Sequence, residues 1–404
     1  MVSKGGFSMK DLTKLKILFF LKFMAEAMFI PFLALYYKSL GFTETNIGLF
    51  IAIPPLIGIC LTPIYSIVCK NVKVAKTTFS IISIISLVCM FLYFKLTSYA
   101  GLLTVIVLFN IFHANNFGLL EAFASVCASN NNTDYSKVRV YGSFAYVFGL
   151  VLSGFLTRLD SFFLAICIAG GLTAISIIIS FTLHVTPTNE VVEKRDLKAL
   201  FKTRNYFIFI IFMALFIGTT NVADDFYSTY LKETKGFSND TYGYLQASFI
   251  VVEGLVIIFL FSFRKKFKFR HLYFFAIFFP ILRYFASALD APIYVLVLIG
   301  LTRGITWGIH SYLWAQFIVN IVGKKNGTFG VMIAVMTLNL YQAIMKILLG
   351  RLIDATSYFI FYLVISYILI FVLIYFVLIY HKNDYVNNFQ KEIEIRKNDT
   401  IIEE

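Results

Sequence analysis

Charged residues are scarce in this sequence, because Asp, Glu, Lys and Arg together make up only 14% of its 404 residues. A soluble domain carries about 25% of such residues. Apolar residues reach 59% and form runs of about twenty, the length of helix that crosses roughly 30 Å of hydrocarbon. The short alternating segments of a membrane β-barrel do not occur. This pattern excludes an ordinary soluble fold and predicts an all-α membrane protein.

Several motifs that carry chemistry are also missing. The chain has no Gly-rich phosphate-binding loop, so nothing supports ATP-driven transport within it. Its five cysteines show no metal-ligand spacing, and we interpret them as small buried apolar residues. They are Cys60, Cys69, Cys89, Cys127 and Cys167. Because no cluster pairs a nucleophile with a base, we expect no metal, no cofactor and no enzymatic activity; a membrane-embedded enzyme is the least favoured alternative.

Hydropathy predicts twelve spans, each long enough for a membrane helix. The predicted ranges are 15–37, 46–68, 77–96, 100–127, 139–157, 161–183, 206–230, 241–263, 271–289, 292–319, 328–350 and 357–380. The first span is too long for the apolar core of a signal peptide, and no small-residue cleavage site follows it. We therefore expect this span to stay attached.

The positive charge of the chain is unevenly distributed. A formal net charge of +13 could indicate a nucleic-acid ligand, but the placement of Lys and Arg gives another explanation. If the N-terminus is cytoplasmic, 25 of these residues lie in cytoplasmic segments and 6 lie on the opposite side. Cytoplasmic loops of membrane proteins are typically rich in Lys and Arg. The bias predicts a multi-pass protein of the cell (inner) membrane with both termini in the cytoplasm and no nucleic-acid partner.

The longest internal polar stretch, 185–204, mixes acidic with basic residues and divides the spans into six and six. We predict an N-terminal bundle at 1–184, a cytoplasmic linker at 185–204, a C-terminal bundle at 205–382 and a cytoplasmic tail at 383–404. Two halves of six spans match the parallel repeats of major facilitator transporters, in which substrate binds near the midplane and access alternates by rocking. The expected fold is therefore two six-helix bundles around a central cavity, in a monomer.

Some charged residues remain inside the spans, where they are costly and usually line a cavity or pathway. They are Lys22, Glu26, Glu121, Arg139, Asp224, Asp225, Glu253, Arg283, Arg303 and Lys346. Acids and bases are nearly matched, as expected if they pair across a cavity. Other interpretations stay open, because Lys22 and Glu26 could pair on one helix face and Arg139 could be an ordinary cytoplasmic charge. Of the two adjacent aspartates, Asp224 is expected to point inward.

Histidines and tryptophans inside the spans are less specific signals. His113 has Asn115 and Asn116 as neighbours, and we interpret both His113 and His310 as hydrogen-bonding groups between helices rather than proton relays. Trp307 is as consistent with packing as with a ligand contact.

Three short segments carry a family resemblance. The stretch 30–37, with the sequence IPFLALYY, and the glycines at 41 and 48 resemble the first hairpin of lactose-permease-like major facilitators. The stretch 135–144, YSKVRVYGSF, looks like the start of span five in the same group, which includes a phenylpropionate-permease branch. The stretch 303–310, RGITWGIH, is similar to the span-ten motif of that branch. The order and spacing of the segments agree with the group.

The resemblance implies roles for several of the intramembrane residues. In lactose-permease-like proteins, a span-four glutamate and a span-five arginine bind sugar hydroxyls together, and an aromatic residue two turns later stacks on the sugar. The matching positions here are Glu121, Arg139 and Tyr146. The span-eight glutamate that joins sugar binding to proton transfer matches Glu253, and the span-nine arginine matches Arg283.

The second half of the chain departs from the group at the proton site. One of the two span-seven aspartates of the group matches Asp224. The span-ten histidine is replaced by Arg303, and the proton-carrying glutamate one turn later is replaced by Thr306. Lys346 lies about two turns beyond the place of the group's span-eleven lysine. The usual proton site is therefore altered.

Together these residues predict proton-coupled symport of a small polar solute, a saccharide or a nucleoside, with protons and the lipid bilayer as further partners. We assign substrate binding to Glu121, Arg139, Tyr146, Glu253, Arg303 and Trp307. We assign proton coupling to Glu253, Arg283, Asp224 and Glu26, with Glu253 paired to one of the two arginines. The alternatives are an aromatic carboxylate permease anchored on Arg303, and an uncoupled facilitator or exchanger, which Thr306 favours.

Overall fold

The residues described in this computed structural model are 9–69, 71–130, 133, 135–158, 162–184, 204–263, 269–322 and 327–380. Every regular element among them is a helix, which confirms the all-α prediction. The predicted linker 185–204, apart from Arg204, and the predicted tail 383–404 lie outside the described residues. The bundle boundaries therefore stay predictions.

Eight α-helices cover the first six predicted spans. They are α1 (Met9–Phe29), α2 (Leu33–Ser39), α3 (Glu44–Val68), α4 (Val72–Lys95), α5 (Tyr99–His113), α6 (Asn116–Asn130), α7 (Ser136–Arg158) and α8 (Phe162–Thr182). A short 3-10 turn, Ile30–Phe32, separates α1 from α2. Polar side chains begin several of these helices, as when Asn71 Oδ1 accepts a hydrogen bond from the backbone of Val74 at 2.9 Å.

Nine α-helices cover the last six predicted spans. They are α9 (Arg204–Met213), α10 (Thr219–Asp225), α11 (Tyr227–Lys235), α12 (Asn239–Phe263), α13 (Phe269–Ala288), α14 (Ile293–Gly300), α15 (Thr302–Val322), α16 (Gly327–Ala355) and α17 (Tyr358–Tyr380). A π-helical turn, Ala214–Gly218, joins α9 to α10.

Twelve stretches of the described residues are helical, long and apolar enough to cross a membrane, which confirms the predicted number of spans. The seventh runs over Arg204–Asp225 and is shorter than predicted, because the chain breaks at Phe226 before α11 begins. Large side chains such as Phe144 and Phe148 on α7 are exposed, which suits contact with lipid tails. Among the cysteines, Cys89 and Cys127 are buried as predicted, but Cys60 is exposed and Cys69 and Cys167 are only partly buried, so the prediction that all five are buried was wrong at these three positions.

Two breaks within spans keep their backbone groups paired, as a lipid environment requires. Pro31 lies in the first turn of the 3-10 segment, where its missing N–H is least costly. Between α5 and α6, Ala114 donates its backbone N–H to Asn110 O at 3.0 Å. The second break leaves His113 at the C-terminal end of α5 and Asn116 at the start of α6.

The chain forms two compact units. The first holds Met1–Val192, Asp225–Ala247 and Lys346–Gly350. In this unit α1 packs along α7, and glycine makes the approach possible: a Cβ at position 149 would lie 2.6 Å from the Met24 carbonyl oxygen. Small residues at helix contacts are typical of membrane proteins, whose backbones approach closely there.

The second unit holds Glu193–Asp224, Ser248–Met345 and Arg351–Glu404. Here α13 packs against both α15 and α17. The contact of α15 with α12 also depends on glycine, because a Cβ at position 304 would lie 2.5 Å from the Phe249 carbonyl oxygen. This close packing brings the polar face of α15 beside Glu253 on α12.

Candidate functional site

Glu121 and Arg139 form an ion pair within the first unit. Arg139 on α7 places its Nε 3.1 Å from Oε1 of Glu121 on α6, as the resemblance implied. The side chains are 35% and 45% exposed for Arg139 and Glu121 respectively. The guanidinium also lies 4.1 Å from the ring centroid of Phe23 on α1, a cation–π contact that fixes its direction. The pair therefore has a defined geometry, and both of its side chains remain partly exposed.

Two tyrosines lie near this pair. Tyr135, just before α7, interacts electrostatically with Glu121 and Arg139. Burial raises the pKa of the Tyr135 phenol, and the neighbouring Glu121 carboxylate raises that pKa further. Tyr146, the third predicted member of the substrate site, packs partly buried against the apolar core that includes Phe23. The structure thus places Tyr146 on the same helix as Arg139 but gives its ring a packing role.

Asp224 is the centre of a buried charge cluster in the second unit. Arg303 on α15 places its Nε 2.6 Å from Oδ2 of Asp224, and Arg283 on α13 contacts Oδ1. The Tyr284 hydroxyl lies 2.9 Å from the same Oδ1 and 3.0 Å from the Thr220 carbonyl oxygen. Arg283 is 1% exposed, Asp224 9% and Arg303 17%. Both guanidiniums predicted as partners of Glu253 are therefore bound to Asp224.

Glu253 accepts a hydrogen bond from the Ser311 hydroxyl at 3.3 Å. It also lies close enough to Arg303 to interact with it electrostatically. Arg303 is thus placed between two carboxylates, one in direct contact and one nearby. Its guanidinium also lies 5.4 Å from the ring centroid of Phe249 and 6.0 Å from that of Trp307.

Trp307 continues the face of α15 that begins with Arg303. Its ring meets His310 edge to face at 5.6 Å, and His310 stacks on Trp314 at 5.7 Å. The buried Nε1 of Trp307 has no hydrogen-bond partner among the described residues. Thr306, which takes the place of the group's proton-carrying glutamate, points elsewhere: it is buried and donates its hydroxyl to Ala276 O at 3.1 Å.

Two further pairings were missed by sequence reasoning. Asp225, left unassigned, pairs with Lys346 Nζ at 2.8 Å, and the same ammonium donates to Ile51 O at 3.2 Å. Glu26 was assigned to proton coupling, with a pair to Lys22 left open as an alternative, and its Oε1 lies 3.1 Å from Nε2 of His113 on α5. The only available signal was the presence of an acid and a histidine at comparable depth in spans one and four.

Within the described residues, no group of three or more His, Cys, Asp or Glu side chains is arranged to hold a metal ion. The described residues present instead twelve stretches of membrane-spanning length with acids and bases paired inside them, an arrangement typical of multi-pass membrane transporters. The chain belongs to the MFS_1 like family, whose model matches residues 12–364. It is therefore a transporter of the major facilitator superfamily and not an enzyme.

Two curated relatives are distant in sequence. The chain is 25% identical to the sucrose permease of Escherichia coli over 254 residues, which are 58% of this chain and 61% of that protein. It is also 25% identical to a protein of Escherichia coli (strain K12) named "Probable 3-phenylpropionic acid transporter" over 257 residues, 60% of this chain and 65% of that one. The matches thus span less than two thirds of either relative.

Solved structures share the fold over nearly the whole chain. The crystal structure of the nucleoside transporter NupG superposes with a TM-score of 0.79 at 18% identity and covers 93% of this chain and all of NupG. A transporter of the POT family in complex with a thioalcohol conjugated peptide gives 0.74 at 13% identity, over 92% of this chain and 96% of that one. At these identities the similarity shows the fold alone.

Proposed function

We propose that this transporter is a symporter of the inner membrane that couples a proton to the movement of a neutral polar solute, a saccharide or a nucleoside, by alternating access. The observation that carries this proposal is the exposure of the Glu121–Arg139 pair. Glu121 lies within the fourth span and Arg139 near the start of the fifth, and charged side chains of spans do not face lipid, so exposure of both partners supports contact with water. In each of the other ion pairs that join two spans within the described residues, at least one side chain is less than 20% exposed.

The chemistry of the pair suits hydroxyl groups. The guanidinium offers a planar fork of donors, and the carboxylate offers acceptors only. A solute with adjacent hydroxyls both accepts from the arginine and donates to the acid, and charge-assisted hydrogen bonds of this kind are strong and directional. The ribose of a nucleoside and the rings of a saccharide both present such hydroxyls.

The balance of charge supports a neutral solute. Five acids and four bases lie well within the spans, and Arg139 at the start of span five brings the bases to five, so no surplus positive charge is left to hold an anion. They are Glu26, Glu121, Asp224, Asp225 and Glu253, and Lys22, Arg139, Arg283, Arg303 and Lys346. The names of the sucrose permease and the nucleoside transporter support the same two solute classes.

Arg303 supports proton coupling because it lies beside two carboxylates. A carboxylate that gains or loses a guanidinium partner changes its proton affinity. If Arg303 moves from Asp224 towards Glu253 during the cycle, the two acids exchange their affinities for a proton. Arg283 stays with Asp224 in this scheme, since it is almost completely buried there.

An aromatic carboxylate is the second candidate solute. The named 3-phenylpropionic acid transporter and the position of Arg303 beside the Trp307 ring favour it. An anion would then have to displace Asp224 from Arg303. Uncoupled transport is the third candidate, and it is favoured by Thr306 in place of the group's acid.

Uptake into proteoliposomes separates these candidates. Purified full-length protein is reconstituted, and labelled sucrose, uridine and 3-phenylpropionate are each offered with and without an inward proton gradient. Symport predicts accumulation of a neutral solute that a protonophore abolishes. Accumulation of the phenylpropionate alone, or equal fluxes with and without the gradient, would contradict the proposal.

The role of the Glu121–Arg139 pair is tested with matched variants. Glu121→Gln is expected to lower uptake by about 10- to 100-fold, the effect of losing one charge-assisted hydrogen bond. The exchanged variant Glu121→Arg with Arg139→Glu keeps an ion pair but reverses its donors and acceptors. Full activity of the exchanged variant would show that the pair has only a structural role.

A further inference from the structure

A second titratable cluster lies inside the first unit, apart from the substrate pair. We propose that Glu26 and His113 together form a second proton-binding site of the transport cycle, in addition to the two carboxylates beside Arg303. This inference rests on the proposed symport and gives the proton a location in the N-terminal part of the chain.

The geometry of the cluster is that of a hydrogen-bonded pair with one shared proton. Glu26 Oε1 and His113 Nε2 are 3.1 Å apart, and the two side chains are 18% and 11% exposed. The ring of Phe109 stacks on the imidazole with centroids 4.3 Å apart, which fixes the plane of the imidazole. In one state the neutral imidazole donates its Nε2–H to the carboxylate. Binding one proton from water then gives an imidazolium on a carboxylate, and no other bond is made or broken.

The surroundings of the pair leave room for proton exchange. Glu26 and His113 line a cavity of about 10 Å³, about the size that holds one water molecule. Lys22 from α1, Ser86 from α4 and Thr173 from α8 also line it. Hydroxyls and a single water are the groups that pass a proton between a buried site and solvent.

Few charged groups act on the pair. Lys22 lies one turn from Glu26, is 2% exposed and places its Nζ 5.6 Å from the ring centroid of Phe117. From α7, Arg139 is held by Glu121 and by the face of Phe23. The residues of α4 and α8 that line the cavity carry no acid or base. With Lys22 charged, the cluster is neutral before it takes up a proton and carries one positive charge afterwards.

The other acids of the spans have partners of a different kind. Asp224 is bound by two guanidiniums, which do not release their protons in proteins. Thr306 has no ionisable group. The Glu121–Arg139 pair is the proposed contact for solute. Glu26 has instead an imidazole as its partner, a side chain that can bind and release a proton.

Two helices join the proton site to the solute site. Phe23, which supports the Arg139 guanidinium, lies three residues before Glu26 on α1. Glu121 lies on α6, which begins just after the break that follows His113. A movement of α1 or of the α5–α6 break therefore changes both sites together, as coupling requires.

The test compares accumulation with exchange in proteoliposomes. His113→Gln and Glu26→Gln are each expected to lower gradient-driven accumulation at least tenfold while equilibrium exchange of solute stays within threefold of the unmodified protein. His310→Gln is the matched control, since His310 is buried in a span but has no acid partner among its described contacts, and it should keep the ratio of accumulation to exchange. Retained accumulation in His113→Gln would overturn the proposal.

A second measurement decides the matter if either variant does not fold. In the full-length protein with labelled histidine, the resonance of the His113 imidazole is followed from about pH 5 to pH 8, and its protonation should differ with and without solute. An imidazole that keeps one protonation state across this range, with and without solute, would overturn the proposal. Failure of the proposed function is distinct, because the unmodified protein would then accumulate no solute at all.

Discussion

Asp224→Asn is expected to destabilise the second unit by about 3–5 kcal/mol, the usual cost of leaving a buried charge without its partner. The magnitude follows from the geometry. At 2.6 Å and an effective dielectric of about 20, the Coulomb attraction of Arg303 to Asp224 is about 6 kcal/mol, of which desolvation offsets part. Arg283 is 1% exposed, so water cannot solvate its guanidinium when the carboxylate is removed.

The neighbouring aspartate provides the control. Asp225→Asn makes the same replacement of a carboxylate by an amide, but Asp225 is 37% exposed. Its partner Lys346 keeps the hydrogen bond to the Ile51 carbonyl oxygen at 3.2 Å. Lys346 is itself only 8% exposed, but the hydrogen bond it keeps limits the loss, which we expect to be about 1–3 kcal/mol and smaller than for Asp224→Asn.

Equilibrium unfolding of the full-length protein in mixed micelles measures both variants. The free energy of unfolding should fall by a clearly larger amount for Asp224→Asn than for Asp225→Asn. Equal losses would refute the reasoning, because they would show that burial of the Arg283–Asp224–Arg303 cluster does not determine how much the cluster contributes to the free energy of unfolding.

Three further outcomes are expected. Gly149→Ala should cost about 1–3 kcal/mol in unfolding measurements, because its Cβ would meet the Met24 carbonyl oxygen at 2.6 Å, whereas Gly171→Ala meets nothing within 4 Å and should be neutral or slightly stabilising. Thr306→Val removes one hydrogen bond and should cost about 1 kcal/mol in unfolding free energy, with no change in the proton dependence of uptake. A changed proton dependence would instead show that Thr306 takes part in coupling. Because the pKa of Tyr135 is raised in the folded chain, its contribution to stability should be present below about pH 10 and lost as the pH rises further, and a Tyr135→Phe variant with an unchanged alkaline unfolding profile would contradict this.

The number and type of the spans could be predicted because each depends on local composition alone. A window of apolar residues needs a helix in lipid, whatever its neighbours are. The Glu121–Arg139 pair was also predicted, although by family resemblance, and the structure shows the two side chains in contact.

The partners of the other charges depend on helix rotation and on breaks, which no local pattern reports. Lys22 and Glu26 have the spacing of a pair on one helix face, yet Glu26 contacts His113 because α5 ends there. Glu253 was expected to hold Arg283 or Arg303, yet both arginines contact Asp224. Glycine at 304 sets the approach of α15 to α12, and that approach decides which acid Arg303 reaches.

The Asp224 cluster has a consequence for biogenesis. Its members are separated by 59 and 79 residues along the chain, so the ribosome completes Asp224 well before Arg283 and Arg303. At 5–20 residues per second, the shorter interval lasts about 3–12 s, during which the seventh span holds an acid without its counter-charge. Insertion of such a residue can cost up to about 3 kcal/mol. Nascent chains that end before Arg283 should therefore crosslink to the insertion machinery at this span, whereas longer chains should be released from it. The seventh span would then enter the bilayer only after Arg283 and Arg303 have been synthesised.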